Sequence, residues 1–378
     1  MIYLDNAATT YPKPGEVYQA MDDTNRNSAF NAGRGSYRVA KEASKLIDET
    51  KKKICELIHA PAGAYVTFTP SITIALNEIL QGIEYSQGAH VYISPYEHNA
   101  VARVLALLAD KYGIDIVIMP LKEDCLEIDL EKLKYMFTKN RPYMVCCNHM
   151  SNVTGYVLPV KDIFTMAKGY GAVTVLDTAQ SLGVIPVNLT EIEADFVAFA
   201  GHKSLYGPLG IGGFVGTSQK NSLNVVIAGG TGSNSLSLSM PKTMPEKYES
   251  SSTNIVAISG LHAALSVLDV NGNYEHEKNL TTKLVEGLSK LPGVIIYGNQ
   301  DDNYVGVVSF NISGYLAEDI GTILDEEYDI AVRTGYHCAP YIHKYLANEE
   351  YVGTVRVGIG KFTTEKDIDT LIDALASL

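Results

Sequence analysis

Short apolar runs rich in β-branched residues alternate with longer stretches of helical periodicity through the first half of the chain, and this alternation most limits what the chain can fold into. The runs are Tyr65 to Thr67, His90 to Ser94, Ile114 to Met119, Tyr143 to Cys147, Val173 to Leu176 and Phe196 to Ala200, with helices expected from about Ile72 and about Asn99. The pattern predicts βαβ units: an α/β fold with a mostly parallel sheet covered by helices on both faces. In such sheets ligands collect beyond the carboxyl ends of the strands. Four polar clusters sit at those ends: Glu97-His98-Asn99, Asn148 to Asn152, Asp177 to Gln180 and Gly201-His202-Lys203. Chance placement of loops would not favour four such deliveries to one edge.

Near residue 255 the pattern changes to helices over Ile255 to Leu268 and Glu277 to Leu288, strands near Val294 to Ile296 and Val305 to Asn311, and a final helix after Glu365. A chain of 378 residues is longer than one core usually grows. The expectation is a large α/β domain over residues 15–255 and, joined to it by a long helix, a smaller α+β domain over 256–378 that includes the N-terminal segment 1–14. The stretch from Gly229 to Tyr248, rich in Gly, Ser, Pro and Thr, reads as an extended functional loop.

Charge narrows the function. Thirty basic against 43 acidic residues give a formal charge of −13, which repels nucleic-acid backbones and anionic lipid. The one dense basic run, Lys51-Lys52-Lys53, falls in a helical pattern with Ile47, Ile54, Leu57 and Ile58 as its apolar face, and reads as solvated helix surface. Met1 to Asn6 lacks a basic and then apolar leader, and no apolar run is long enough for a bilayer, so a cytoplasmic location is expected. Five cysteines form neither a disulfide framework nor a metal-binding pattern, and no metal is expected. Adjacent Cys146 and Cys147 on a strand point to opposite faces.

Particular residues invite chemistry. Asp177 closes an apolar strand, where a carboxylate needs a cationic or hydrogen-bonding partner, such as a protonated pyridine nitrogen; capping the next helix is the plainer alternative. Gln180, three residues on, either reaches a ring hydroxyl or is an ordinary surface amide. Lys203, among His202, Tyr206 and glycines, is not placed like a surface lysine; in a dry, cation-rich pocket its amine forms a Schiff base. The run Gly207 to Gly213 lacks the Gly-Lys-Ser/Thr ending of a nucleotide loop. His98 either lies over an aromatic ring and shuttles protons or is a structural hydrogen-bonding residue. Thr73 either meets a phosphate at a helix start or caps that helix. Cys338 stands in Arg333-Thr334-Gly335-Tyr336-His337-Cys338-Ala339-Pro340, where His337 and Arg333 favour a thiolate if they face it. Arg356, alternating with apolar neighbours on a strand, either forms a structural ion pair or forks a carboxylate.

Taken together these residues resemble the cysteine desulfurases of the class V aminotransferase superfamily. The likeness runs from Tyr3-Leu4-Asp5-Asn6-Ala7-Ala8-Thr9-Thr10 through Asn31 to Arg34, Glu97-His98-Asn99, Ser151-Asn152-Val153-Thr154-Gly155, Asp177-Thr178-Ala179-Gln180-Ser181 and Gly201-His202-Lys203 to the cysteine loop. The resemblance implies fold type I with a seven-stranded sheet, a homodimer, and pyridoxal 5'-phosphate on Lys203. It implies Asp177 on the pyridine nitrogen, Gln180 on the ring hydroxyl, His98 over the ring, and His202, Thr73 and the other subunit's Ser252 at the phosphate. Asn152 and Arg333 would help hold the substrate and Arg356 clamp its carboxylate, while Lys203 acts as base and Cys338 takes sulfur from L-cysteine as a persulfide for an acceptor protein. The Arg-x-Gly-x-x-Cys spacing is similar to the desulfurase group that includes selenocysteine lyases. L-selenocysteine as substrate, a C–S lyase and an aminotransferase therefore stay open. The chain departs from the family pattern at Ala200, where a phosphate-binding Ser is usual, at Ser71-Ile72 before Thr73, at Ser204, at Ser251-Ser252-Thr253-Asn254 in place of Gly-Thr-Pro-Asn, and at Tyr336.

Overall fold

A computed structural model of the chain describes residues 1–32, 37–123, 125–231, 236–298 and 303–378. Gly33 and Arg34 of the Asn31 to Arg34 motif lie outside the described residues. From the N-terminus the elements are β1 (Ile2–Tyr3), α1 (Gly15–Asn27), α2 (Arg38–Leu57), β2 (Tyr65–Thr69), α3 (Ile72–Gly82), β3 (His90–Ile93), α4 (Asn99–Tyr112) and β4 (Asp115–Ile118). Then come α5 (Leu130–Lys139), β5 (Pro142–Asn148), α6 (Val160–Lys168), β6 (Val173–Asp177), β7 (Phe196–Ala200) and β8 (Gly212–Gly216). The remainder holds α7 (Ile255–Ser266), α8 (Val270–Leu288), β9 (Val294–Tyr297), β10 (Val307–Ile312), α9 (Ala317–Tyr328), β11 (Ile330–Ala331), β12 (Arg333–Gly335), β13 (Thr354–Gly358) and α10 (Glu365–Ala376).

The large sheet has seven strands in the order β2-β8-β7-β6-β5-β3-β4. Only β8 runs antiparallel to its neighbours; every other pairing is parallel. The apolar, branched residues of β3, β5, β6 and β7 are buried on both faces, as a sheet between helices requires. On one face Val145, Cys147, Leu176, Val197 and Phe199 pack with residues of α2, α6 and α7; on the other Cys146, Val175, Ala198 and Phe214 pack with α3 and α4. The two adjacent cysteines thus part to opposite faces.

Strand β8 is where the sequence was hardest to read, because its Gly-Gly-Phe-Val-Gly looks like a loop. Its glycines are required by crowding: a Cβ on Gly213 would stand 2.2 Å from the Thr67 carbonyl oxygen and 2.8 Å from the Phe199 ring. The lysine run also differs from expectation. Lys52 is solvated, but Lys51 is largely buried and lies 2.7 Å from Glu249 Oε1, tying α2 to the long segment after β8.

A four-stranded antiparallel sheet, β12-β13-β10-β9, packs Val308, Phe310, Val355 and Val357 against α8, α9 and α10, with Leu4 in the same cluster. The expected helix at Glu277 starts earlier, at Val270, because the Asp269 side chain accepts from Gly272 N and caps it. Helix α7 buries Ile255, Ala257, Ile258 and Leu261 in the core of the large sheet. The N-terminal segment joins the two sheets: β1 pairs with β11, Asp5 bridges to Gly358, and Thr10 N donates to His202 O. Among the described residues, 217–254 hold no helix or strand, and Leu236 and Leu238 there are fully exposed.

Candidate active site

The carboxyl ends of β5, β6 and β7, the turn after β3 and the start of α3 converge on one cavity of ≈ 220 Å³. Its lining includes Thr73, His98, Asn152, Asp177, Gln180, His202, Lys203, Arg333, Cys338 and Arg356. Parallel pairing puts these ends on one edge, and the small sheet delivers Arg333, Cys338 and Arg356 from the other side. Ser252 is exposed and outside this lining in its own chain.

Burial raises the carboxyl of Asp177, while the Ala179 N–H at 2.8 Å and the Lys203 cation pull the other way. The turn after β6 is not a helix, so the helix-capping alternative for Asp177 falls. Lys203, open to the cavity it lines, has its amine lowered to about 8 by burial, with Asp177 opposing and the Arg356 and Arg333 guanidiniums adding to the fall. That leaves a useful fraction of free amine near neutral pH. Gln180 Nε2 donates to Ala7 O at 2.9 Å, which fixes its amide at the cavity wall, and Ser204 Oγ holds Gln180 O at 2.7 Å.

His98 is the N-cap of α4, its Nδ1 accepting from Ala100 N at 3.0 Å. That acceptance leaves the imidazole proton on Nε2, and burial, with Lys203 next, depresses the group to about 4, so the ring is neutral. Helix α3 is capped by Ser71, whose side chain accepts from Ile74 N; Thr73 is not the cap, and its exposed hydroxyl lines the cavity. Ala200 and Ile72 have joined the apolar core of that face.

Cys338 is exposed, yet its backbone is held hard. His337 and Cys338 both take positive φ, 47° and 57°, a conformation costing non-glycine residues of order 1 kcal/mol each. Three bonds hold them there. Asn152 Nδ2 donates to His337 O at 2.7 Å, Asn99 N donates to Cys338 O at 2.7 Å, and His337 Nε2 meets Thr354 Oγ1 at 2.8 Å. Burial keeps His337 neutral, which corrects the expectation that it would supply charge to the thiolate. Lys203 and Arg356 are cations within electrostatic reach of Cys338. Tyr336, the departure from the family pattern, stacks edge-on against His343 at 5.1 Å.

Arg356 is buried, donating from Nη2 to Asp5 Oδ1 at 2.6 Å and from Nη1 to Asn152 O at 3.0 Å. Several polar atoms in this lining are buried without partners: His202 Nδ1, Asn152 Oδ1 and Arg356 Nε. Buried polar atoms of folded chains are normally satisfied, so these mark the walls of a ligand site. An acidic group, a lysine, hydroxyl and imidazole groups and two arginines lining one cavity suit a ligand with a basic ring, an aldehyde, a phosphate and a carboxylate beside it.

Sequence reasoning missed three participants. Lys13 Nζ donates to His202 O and Thr10 Oγ1, both at 2.6 Å, and burial lowers it to about 7. Glu97, wholly buried behind the site, accepts at Oε1 from Ser94 Oγ and Asn148 N. Asp5 pairs with Arg356. Asp5 and Glu97 lie inside quoted motifs, so the signal was present without a role; Lys13 carried none.

The class-V aminotransferase family model matches residues 2–371. The chain is 31% identical to a probable cysteine desulfurase of Methanothermobacter thermautotrophicus, over 100% of this chain and 94% of that one. It is 31% identical to a cysteine desulfurase of Shigella sonnei, over 99% of this chain and 92% of the relative. Among solved structures it is similar to the apo cysteine desulfurase of Thermococcus onnurineus NA1, with TM-score 0.90, 29% identity and coverage of 100% and 94% of the two chains. It is also similar to the cysteine desulfurase CsdA of Escherichia coli, with TM-score 0.85, 28% identity and coverage of 99% and 94%.

Proposed function

Because the chain belongs to the class-V aminotransferase family, among relatives that are cysteine desulfurases, we propose that it is a pyridoxal-phosphate-dependent enzyme converting L-cysteine to L-alanine with transfer of the sulfur to Cys338. One observation carries this: a lysine amine lowered to about 8 and an exposed thiol on a braced loop line the same cavity, with Asp177 in its wall.

When bound, pyridoxal phosphate supplies an aldehyde for amines and a sink for the electron pair left at the substrate Cα. Lys203 is the residue for the aldehyde, Asp177 for the ring nitrogen, Gln180 for the ring hydroxyl, and His202, Thr73 and the free N–H groups at the start of α3 for the phosphate. A second copy of the chain would add Ser252, which makes the functional unit a homodimer. Neutral His98 would lie over the ring, with its Nε2 proton free to donate. Arg356 Nε, with Asn152 and Arg333 beside it, receives the substrate carboxylate.

Lys203 Nζ takes the proton from the substrate Cα. The Cys338 thiolate then attacks the substrate sulfur: the Sγ–S bond forms, the Cβ–S bond breaks, Cβ keeps the electron pair and takes up a proton, and Lys203 returns a proton to Cα. L-alanine leaves, and Cys338 holds a persulfide that its exposure opens to an acceptor protein. Purified, cofactor-loaded protein with a reductant should release equimolar alanine and sulfide from L-cysteine. Cys338→Ala should keep the wild-type cofactor spectrum and lose both products; turnover of L-selenocysteine alone, or of neither amino acid, would sink the desulfurase reading.

A further inference from the structure

The two arginines of the cavity face each other across one ladder. Arg333 on β12 and Arg356 on β13 are registered partners in an antiparallel pair, and like charges directly opposite destabilise a sheet. The carboxylate set against them comes from the far end of the chain. Asp5, bridged through its backbone to Gly358, places Oδ1 2.6 Å from Arg356 Nη2 and Oδ2 3.9 Å from Arg333 Nη1. With Arg356 Nη1 on Asn152 O, both ends of that guanidinium are anchored, and the buried Nε is the group without an acceptor. Two guanidiniums against one carboxylate leave a single net positive charge at this end of the cavity.

We propose that Asp5 determines which carboxylates the cavity accepts. It orients Arg356 from behind so that Nε is presented to the substrate, and it takes up one of the two arginine charges, so that the site matches an amino acid with one carboxylate and disfavours a second anionic group. Asp5 is a positioning residue in this scheme, since it acts through Arg356. The proposal rests on the reading of the cavity as an amino-acid site. A charge removed at this range alters the binding of an anion by about tenfold.

The test is calorimetric titration of cofactor-loaded wild type, Asp5→Asn, Arg333→Gln and the double variant with L-alanine and L-aspartate, with KM for L-cysteine measured in parallel. Asp5→Asn should shift the L-alanine to L-aspartate affinity ratio about tenfold or more towards L-aspartate, and Arg333→Gln should weaken L-alanine about tenfold. The double variant has the net charge of wild type and should return L-alanine to within about threefold of it. A purely structural Asp5 would weaken both amino acids alike in Asp5→Asn, and that unchanged ratio overturns the proposal. If Asp5→Asn does not fold, Arg333→Gln is read by discrimination: removing one arginine charge should weaken L-aspartate more than L-alanine, and an unchanged L-alanine to L-aspartate ratio overturns the proposal. A wild type that binds neither amino acid and leaves L-cysteine unchanged ends the amino-acid reading and this proposal with it. Binding and turnover by wild type with unmoved variants end this proposal alone.

Discussion

At the scale of single residues, the site depends on groups held away from their ordinary protonation. Glu97 is the plainest case: wholly buried, with Oε2 unpartnered, its carboxyl is pushed up to about 8 by burial, while the Ser94 and Asn148 donors pull it back. A carboxyl whose folded value lies above its unfolded value binds more protons folded than unfolded. Its contribution is therefore fully present below the unfolded value, about 4.5, and is lost as pH rises to about 8. Glu97→Gln keeps an acceptor for Ser94 and Asn148 and has no proton to lose. Relative to this variant, wild type should lose ~1 kcal/mol or more of unfolding free energy between pH 5 and pH 8, read from urea midpoints. Parallel losses in the two proteins would show that Glu97 is ionised in the folded chain. Lys203, Asp177 and His98 could be picked out in the sequence because each follows an apolar strand, where a polar side chain needs a reason. Glu97 and Asp5 could not be given roles, since a buried carboxyl's partners come from segments remote in sequence. The neutrality of His337 was equally hidden: its neighbour in sequence is Cys338, but its ring turns to Thr354.

At the scale of elements, the alternation of apolar runs and helices was legible because a parallel sheet buried on both faces leaves little choice of residue. Strand β8 was not, because backbone crowding and not side-chain burial selects its residues. The connection after β5 shows the same principle at the join between the sheets. Gly155 has φ +76°, a Cβ on it would lie 2.4 Å from Val307 O and 2.7 Å from Val305 O, and its own carbonyl accepts from Val305 N at 3.0 Å. Any side chain here forces the loop bearing Asn152 away from the strand bearing Val307. Gly155→Ala should cost ~2 kcal/mol or more in stability, from left-handed strain and collision together. It should also lower kcat, since Asn152 holds both the His337 carbonyl and Arg356. A variant as stable and as active as wild type would mean that the two sheets can part here without consequence.

At the scale of the molecule, the N-terminal segment is the part that makes one site from two sheets. It pairs with β11, bridges to β13 through Asp5, and ends on the peptide before Lys203, where the His202 carbonyl accepts from Thr10 N, Thr9 Oγ1 and Lys13 Nζ. The same segment thus sets the counter-charge at the arginine end of the cavity and holds down the Lys203 end. Its opening motif was recognisable as family sequence, but the reason for it lies in contacts nearly two hundred residues or more away along the chain. Lys13 is a half-buried cation whose amine burial lowers to about 7, and Met can occupy its volume without the donors. Lys13→Met should fold, since the apolar stem is kept, but should release the His202–Lys203 peptide from behind. The expected result is a cofactor dissociation constant raised about tenfold, measured by dialysis against limiting pyridoxal phosphate, with Lys13→Arg recovering part of the loss. Because no carboxylate pairs with this lysine among the described residues, the loss should be insensitive to salt. Dissociation that is unchanged in Lys13→Met would mean that the threonine donors alone secure the peptide, and that the segment serves the substrate end only.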